Sequence, residues 1–207
     1  MTGQKTDNTN KTPNSGTAQS FDDDLASAVA TLRKGGIILY PTDTIWGIGC
    51  DATNSKAVQR VYELKKRADH KAMLVLANST DMLERYVEEV PEVAYQLIDV
   101  AIKPTTIIYD NGINLAPNLL GPDGSIGIRI TNERFSSKLC RALRRPIVST
   151  SANISGMPSP RFFNDVSKEI IDGVDYVVNF RRNDRTPSAP SCVIKLSVSG
   201  EIKVLRS

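Results

Sequence analysis

Residues 36–52 read GIILYPTDTIWGIGCDA, an apolar run followed by a polar turn and then by small residues. The apolar run predicts a buried strand, because short Ile- and Leu-rich segments suit the interior of a sheet. Gly47, Gly49 and Ala52 spell G-x-G-x-x-A, a pattern found where a strand leads into a dinucleotide-binding helix. The segment therefore poses two alternatives, a dinucleotide cradle or a ligand-binding turn at residues 42–44.

The dinucleotide alternative fails on the residues that follow. A dinucleotide fold needs its glycines to open a helix directly, with an acidic residue about 20 positions further on. Here the helix pattern begins only near Asn54, and the region at that distance, ELKKRADHK, is basic. We therefore expect Gly47 and Gly49 to permit a tight backbone turn beside a ligand.

The rest of the chain alternates between helix patterns and strand patterns. Residues 1–20 contain little that could be buried, so we expect a disordered tail before a domain at 21–207. Helices are predicted over 21–34 and 54–67, from Thr80, over 91–101 and 133–143, and near 164–172. Strands are predicted over 36–41, 72–77, 105–109, 126–130, 146–150, 174–180, 191–196 and 201–205. Because strands follow one another at the end, we predict one α/β domain with a twisted, mixed parallel and antiparallel sheet flanked by helices.

Composition and charge limit the classes of function. Of the 207 residues 40% are hydrophobic and 24% charged, with a net charge of +3, which suits a globular protein with an anionic ligand or RNA. One histidine excludes mechanisms that need a histidine pair or a three-histidine metal site. The three cysteines form no C-x-x-C pair, so we expect buried thiols in a reducing compartment. No apolar run reaches ~18 residues, so we expect a cytoplasmic protein without membrane contact.

Basic residues cluster where a helix is predicted to end before a strand. Lys65, Arg67 and Lys71 lie in KKRADHK, and a second basic segment occupies residues 129–145. Arginine offers a two-pronged donor to phosphate and lysine a mobile point charge. Two interpretations stay open, a phosphate site or solvated helix surfaces whose basic ends are favoured by the helix dipole.

Hydroxyl and amide side chains are dense in VSTSANISGMPSP, residues 148–160. Ser149, Ser151, Asn153 and Ser159 follow a predicted strand, and loops at the carboxyl ends of strands are where open α/β sheets bind ligands. These side chains suit a phosphate or a metal-bound water, the alternative being a polar connection without a ligand. The chain has no G-x-x-x-x-G-K-[ST] sequence, which argues against a P-loop kinase or ATPase.

Five segments, read together, resemble the signatures of the YrdC/Sua5 family, in order and at similar spacing over about residues 22–207. These segments are YPTDTIWGIG, KKRADHKAMLVL, GIRI, STSANISGMPSP and SAPSCVIKL. The resemblance implies a single YrdC-like catalytic domain of the short form. It implies a nucleotidyltransferase, an L-threonylcarbamoyladenylate synthase, that joins L-threonine, bicarbonate and ATP and releases pyrophosphate. The product would serve N6-threonylcarbamoyladenosine modification of tRNA. The same resemblance implies ATP as a substrate and Mg²⁺ as a cofactor. It also implies a tRNA-modifying threonylcarbamoyl transferase complex as the downstream acceptor.

The resemblance also implies roles for twelve residues of this sequence. The residues implied in catalysis are Lys65, Arg67, Ser151 and Asn153, of which Ser151 and Asn153 would also contact the metal indirectly. The residues implied in ATP binding are Arg67, Lys71, Ser125, Ser151, Ser159 and Arg206. The residues implied in threonine binding are Thr44, Arg129, Ser149 and Ser191.

The sequence departs from the family pattern at several positions, and two other functions stay open. Ala72 replaces a proline, Ala101 and Lys103 replace Trp and Gly, and Leu76 stands where some members have a histidine. One alternative is a domain that forms carbamoyl-adenylate from carbamoyl phosphate. The other is an RNA-binding module that uses the basic surface, although only 6% of residues are aromatic and few could stack on bases. Weak contact with tRNA or other double-stranded RNA is compatible with the synthase.

Overall fold

The structure is a computed structural model that describes residues 20–67 and 73–207. In these ranges the helices are α1 (Phe21–Arg33), α2 (Ser55–Leu64), α3 (Thr80–Leu83), α4 (Glu92–Val100), α5 (Arg134–Leu143) and α6 (Lys168–Gly173). The strands are β1 (Ile38–Tyr40), β2 (Gly47–Gly49), β3 (Leu74–Ala77), β4 (Thr105–Tyr109), β5 (Ile126–Ile130), β6 (Ile147–Ser151), β7 (Tyr176–Val177), β8 (Cys192–Leu196) and β9 (Ile202–Arg206). Short 3₁₀ turns lie at Pro117–Leu119 and Phe163–Asp165. No helix in the described part of the chain is both long and apolar enough to span a membrane.

All described strands belong to one sheet in the order β7-β1-β2-β6-β3-β5-β4-β8-β9. The pairs β1/β7, β3/β5 and β4/β8 are parallel, and the remaining neighbours are antiparallel. The predicted single α/β domain with a mixed sheet is confirmed. The order brings β2, β6 and β5, which are far apart in sequence, to the centre of the sheet.

Helix starts follow the local capping signals that the sequence carries. Asn54 caps α2, because its side chain accepts the N–H groups of Lys56 and Ala57. Ser20 caps α1 in the same way, by accepting the N–H of Asp23. Residues 1–19 of the predicted tail lie outside the described residues.

The tight turn predicted at Gly47 and Gly49 is wrong, because both glycines lie in strand β2. Neither has a positive φ. A Cβ on Gly49 would lie 2.6 Å from Cε1 of Tyr40 and 2.7 Å from the Val148 carbonyl oxygen. Glycine is therefore needed for close packing against the neighbouring strands and not for a turn.

Two elements near the C-terminal end are shorter than predicted. The helix near 164–172 begins only at Lys168, after Ser167, whose Oγ accepts the N–H of Ile170. The strand over 174–180 is reduced to β7, because the N–H groups of Asn179 and Phe180 donate to the Asp24 carboxylate and not to a neighbouring strand.

The predicted burial of the cysteines is confirmed for two of them. Cys50 and Cys140 are buried, and Cys192 is half-buried. Burial raises the pKa of the Cys140 thiol to about 12 and also raises the pKa of Cys50. Both buried thiols therefore stay protonated at neutral pH and act as apolar core groups.

Candidate active site

A cavity of about 290 Å³ opens over the centre of the sheet. Its wall combines the turn before β2, the segment after α2, strands β5 and β6, the loop after β6, and the segments around β8 and β9. Eight of the twelve residues singled out in the sequence line it: Thr44, Arg67, Arg129, Ser149, Ser151, Ser159, Ser191 and Arg206. The fold therefore brings most of the predicted site together from positions up to 162 residues apart (206 − 44).

Arg129 is the most deeply placed charge in this wall, at 2% exposed. One terminal nitrogen, Nη2, donates to Oδ1 of Asp43 at 2.9 Å and lies 3.4 Å from Oγ1 of Thr44. Its Nε is buried and has no hydrogen-bond partner among the described residues. A buried donor without an acceptor is costly, so this guanidinium suits an anionic ligand in the cavity.

The turn before β2 fixes the hydroxyl of Thr44. Oγ1 of Thr42 accepts the N–H of Thr44 at 3.0 Å and donates to the Ile45 carbonyl at 2.8 Å. Because that donation uses the only hydroxyl proton of Thr42, the 3.0 Å contact between the two hydroxyls must be a donation from Thr44. The lone pairs of Thr44 Oγ1 therefore remain for Arg129 and for a donor group of a ligand.

Asp43 lies between this turn and Arg129. Burial raises the pKa of the Asp43 carboxyl, and the Arg129 guanidinium partly opposes that rise. The charged groups of this ion pair are largely shielded from water, because the side chains of Arg129 and Asp43 are only 3% and 17% exposed. Asp43 therefore orients the guanidinium, and removing either partner would leave the other as an uncompensated buried charge.

Strand β6 supplies two hydroxyls on one face. Ser149 and Ser151 are two residues apart, and side chains at that spacing point to the same side of a strand. Both line the cavity, as does Ser159 from the loop that follows. The half-buried Arg67 lies at the same cavity. This side can offer hydroxyl groups and one guanidinium to phosphate oxygens.

Lys65 does not line the cavity and holds the loop after β6. Its Nζ donates to the carbonyl of Ser151 at 2.5 Å and to that of Asn153 at 2.6 Å. Its own carbonyl accepts the N–H of Ser155 at 2.8 Å. Burial, with a smaller contribution from Arg67, lowers the pKa of Lys65 to about 8. The ammonium group therefore fixes the start of the loop whose hydroxyls face the cavity.

Asn153 lies in the same loop, beside the cavity wall and not in it. Its Nδ2 donates to the carbonyls of Ile154 at 3.0 Å and Met157 at 2.6 Å. Its Oδ1 is buried and has no partner among the described residues. In the described ranges no three Asp, Glu, His or Cys residues are grouped to hold a metal ion. A cation here would have to use neutral oxygens such as Asn153 Oδ1 together with ligand oxygens.

Ser191 and Arg206 form the wall near the C-terminus. Oγ of Ser191 lies 2.9 Å from Oγ1 of Thr106. Arg206 donates from Nε to the Ser191 carbonyl at 2.9 Å and from Nη2 to its Oγ at 3.2 Å. Ser191 is buried, whereas Arg206 is exposed and can present its remaining donors to a ligand.

Among the described residues, Ser125 stands apart from this arrangement. Ser125 precedes β5, four residues from Arg129, which is roughly 13 Å along an extended strand. Its Oγ donates to Asp123 Oδ1 at 2.5 Å, and it does not line the cavity. Lys71 lies outside the described residues.

Sequence reasoning missed two charged residues at this site. Asp43 stood in the quoted turn, and a carboxylate between two threonines opposite a predicted arginine was an available signal. Arg181 donates from Nη1 to the Thr42 carbonyl at 3.0 Å. It lies 139 residues away from Thr42, so no local pattern could have indicated the contact.

Comparisons with known proteins agree with this arrangement. The Sua5/YciO/YrdC family model, described as telomere recombination, matches residues 30–207. Threonylcarbamoyl-AMP synthase of Stenotrophomonas maltophilia is 36% identical over 187 residues, which is 88% of this chain and 97% of that protein. The protein of the same name from Saccharophagus degradans is 34% identical over 139 residues, 66% of this chain and 72% of the relative.

Solved structures show the same fold. A double variant of P. abyssi Sua5 superposes with a TM-score of 0.79 at 26% identity, over 90% of this chain and 56% of that one. P. abyssi Sua5 complexed with L-threonine gives a TM-score of 0.75 at 25% identity, over 86% of this chain and 52% of that one. This chain thus spans about half the length of those Sua5 chains. With the family model matched along most of its length, the chain belongs to the Sua5/YciO/YrdC family.

Proposed function

We propose that residues 21–207 form a catalytic domain that makes L-threonylcarbamoyladenylate from L-threonine, bicarbonate and ATP and releases pyrophosphate. The observation that carries the proposal is one cavity that combines a buried arginine, Arg129, with the hydroxyls of Thr44 and Ser149 at one side and Arg67 at another. An amino acid and a nucleotide could meet there. The names of the curated relatives and of the threonine-bound Sua5 structure support the same assignment.

The side of the cavity around Arg129 fits the amino acid. Its Nε, which has no partner in the described part of the chain, and the donors not used by Asp43 suit the carboxylate of threonine. Thr44 Oγ1 keeps lone pairs for the amine or hydroxyl of the substrate, and Ser149 and Ser191 add hydroxyls nearby. A site that hydrogen-bonds the substrate hydroxyl would reject an analogue without it by about 10⁴-fold.

The side of the cavity around Arg67 fits the nucleotide. Arg67, Ser151, Ser159 and Arg206 offer donors to phosphate oxygens, and Lys71, outside the described residues, is proposed to join them. Lys65 acts one step away, because its ammonium fixes the carbonyls of Ser151 and Asn153. The ATP contact proposed for Ser125 rests on the family resemblance alone.

The proposed reaction needs no nucleophile from the protein. The amine of threonine adds to bicarbonate, water leaves, and the resulting carbamate carries its own negative charge. A carbamate oxygen then attacks the α-phosphorus of ATP, the bond from that phosphorus to the bridging oxygen breaks, and pyrophosphate leaves with the electron pair. The difficulty is that two anions, the carbamate and ATP, repel each other. Arg67, Arg129 and oriented hydroxyls reduce this barrier, because they position the reactants and stabilise their charge.

Magnesium fits the site as a companion of the nucleotide. The buried Oδ1 of Asn153 is an acceptor without a partner among the described residues, and Ser151 adds a hydroxyl. Hard oxygen ligands of this kind, with phosphates and water, are those Mg²⁺ prefers. When bound, the ion would neutralise phosphate charge, and Ser151 and Asn153 would hold it indirectly.

The product is a mixed anhydride of a carbamic acid and AMP, which reacts readily with water. It therefore needs an acceptor close at hand. We propose that this acceptor is a tRNA-modifying threonylcarbamoyl transferase complex in the cytoplasm. Weak contact with tRNA through the basic segments would assist the transfer.

Labelled bicarbonate tests the proposed function. With ATP, Mg²⁺ and L-threonine, the label should appear in a product with the mass of threonylcarbamoyl-AMP. Carbamoyl phosphate in place of bicarbonate and threonine should yield no adenylate. The opposite pattern would identify a carbamoyl-adenylate-forming domain, and no adenylate in either reaction, with salt-sensitive RNA binding, would favour an RNA-binding module.

A further inference from the structure

Arg181 links the turn before β2 to two other segments. It follows β7, and its backbone has φ 65°, in the left-handed region. Its Nη1 donates to the Thr42 carbonyl at 3.0 Å and lies 3.4 Å from Oε1 of Glu133. Its Nε donates to Oδ2 of Asp184 at 2.8 Å. Nε and Nη1 of the guanidinium thus contact groups within the protein, and Arg181 does not line the cavity described above.

Each partner of Arg181 is itself fixed. Oε2 of Glu133 caps α5 by accepting the N–H groups of Phe135 and Ser136. Asp184 Oδ1 accepts the N–H of Thr186, which fixes the loop that leads towards Ser191. The guanidinium therefore ties the Thr42 peptide to a rigid helix start and to the loop after β7.

The Thr42 carbonyl is a sensitive point of attachment. The next two residues are Asp43 and Thr44, which contact the guanidinium of Arg129. The Thr42 hydroxyl holds the turn from within, and Arg181 holds the same peptide from outside. Rotation of this peptide would move the Asp43 carboxylate and change the direction in which Arg129 presents its free donor.

We propose that Arg181 is a positioning residue for the amino-acid substrate, which acts through Asp43 and Thr44 on the orientation of Arg129. This inference rests on the proposed synthase function. It predicts that Arg181 affects the binding of threonine and leaves the binding of ATP unchanged, because its contacts lead through the Thr42 turn to Arg129 and do not include Arg67. The left-handed backbone fits this role, since a non-glycine residue in that conformation is strained and persists where the surrounding contacts hold it.

Two substitutions separate positioning from folding. Arg181→Gln removes the charged donors, and Arg181→Gly removes the whole side chain while suiting the left-handed backbone better. Arg185→Gln is the matched control, because it removes the same charge from the same loop and Arg185 does not line the cavity. Initial rates would be measured against L-threonine at saturating ATP, and against ATP at saturating L-threonine.

Both Arg181 variants should raise KM for threonine by about 10-fold, the factor that one charge-assisted hydrogen bond typically contributes. KM for ATP should change by less than about twofold, within the range of surface substitutions. The thermal midpoint of Arg181→Gly should stay near that of the wild type, and Arg185→Gln should match the wild type throughout.

A threonine KM within twofold of the wild type in both Arg181 variants would overturn the inference, as would equal rises of both KM values together with a lower thermal midpoint. The wild type and Arg185→Gln report separately on the synthase itself. If neither shows threonine-dependent turnover, the proposed function fails and takes the inference with it. If both turn over and the Arg181 variants do so equally well, only the role of Arg181 fails.

Discussion

Arg129 carries more of the proposed chemistry than any other residue in the cavity. It is buried and paired on one side with Asp43, and its Nε has no partner within residues 20–67 and 73–207. A hydrophobic side chain of similar size would pack at this position without the desolvation cost that a charge incurs. A buried arginine at this position is explained if a ligand with a carboxylate group accepts the remaining hydrogen bonds of the guanidinium.

Arg129→Lys tests this account of the threonine side. Lysine keeps the charge and loses the planar fork, so it cannot hold Asp43 and a ligand carboxylate at once. Threonine affinity measured by calorimetry should fall by about 10- to 100-fold, which corresponds to one or two charge-assisted hydrogen bonds. Arg141→Lys, at an exposed arginine of α5 that does not line the cavity, should bind threonine as the wild type does. Equal affinities in all three proteins would remove Arg129 from the site.

Lys65 makes a prediction about pH. The pKa of its ammonium is lowered to about 8, below the 10.5 of an exposed lysine, so between these values the unfolded chain binds more protons than the folded one. Stability from this group therefore rises as pH increases from about 8 towards 10.5, relative to Lys65→Met. Loss of the proton leaves two N–H donors on Nζ, enough for the carbonyls of Ser151 and Asn153, but removes the charge, so these hydrogen bonds should persist and become weaker.

Nuclear magnetic resonance of labelled lysine side chains measures this pKa directly. The Lys65 signal, assigned by its absence in Lys65→Met, should titrate near pH 8, while exposed lysines titrate near 10.4. A Lys65 signal that titrates with the exposed lysines would show that burial does not disfavour its charge.

At the scale of elements, the sequence predicts most helices and strands because their signals are local. Asn54 and Ser20 cap helices through neighbouring N–H groups, and the runs at β3 and β5 are apolar enough to be buried in a sheet. Strand β2 has no such signal, because it contains two glycines and is defined by pairing with β1 and with the distant β6. A strand was predicted at β7, but its early end could not be, since Asp24 lies more than 150 residues from the N–H groups of Asn179 and Phe180 that donate to it.

Gly49→Ala tests the packing argument for β2. The added Cβ would meet Tyr40 and the Val148 carbonyl, which belong to the two neighbouring strands. Overpacking of this kind should lower the free energy of unfolding by about 1–3 kcal/mol, measured by urea denaturation. The strand glycine Gly127 is the matched control, because its nearest atom would be a Thr106 methyl group at 3.3 Å. If the free energy of unfolding of Gly49→Ala is no lower than that of Gly127→Ala, the argument is contradicted.

At the scale of the whole molecule, the sheet order builds the cavity. The order places β2, β6, β3 and β5 side by side, so that the turn before β2 faces Arg129 although they are 85 residues apart. The charge pattern alone leaves a phosphate site and a solvated helix end as equal alternatives for KKRADHK. The family resemblance added specific positions, and the fold gathers eight of those twelve at the cavity. Contacts of Lys65, Asp43 and Arg181 depend on tertiary geometry, which no local pattern encodes.

Ligand binding should stabilise the whole domain, because a ligand that binds only the folded state lowers its free energy. At 100 times its dissociation constant, one ligand contributes about 2.7 kcal/mol. For a domain of this size, L-threonine at that concentration should therefore raise the thermal midpoint by roughly 5–10 °C. D-threonine is the control, since it has the same charges in the wrong configuration. Equal shifts with both enantiomers would point to non-specific binding.

Pyrophosphate release from ATP, with bicarbonate and Mg²⁺ present, is the measurement that tests the central claim most directly. The account predicts release that depends on L-threonine in the wild type and in Arg141→Ala, and that is abolished in Arg67→Ala. This result would connect adenylation to the cavity between Arg67 and Arg129. Folded wild-type protein that releases no pyrophosphate in response to L-threonine would contradict the synthase, and full activity in Arg67→Ala would contradict the location of its phosphate site.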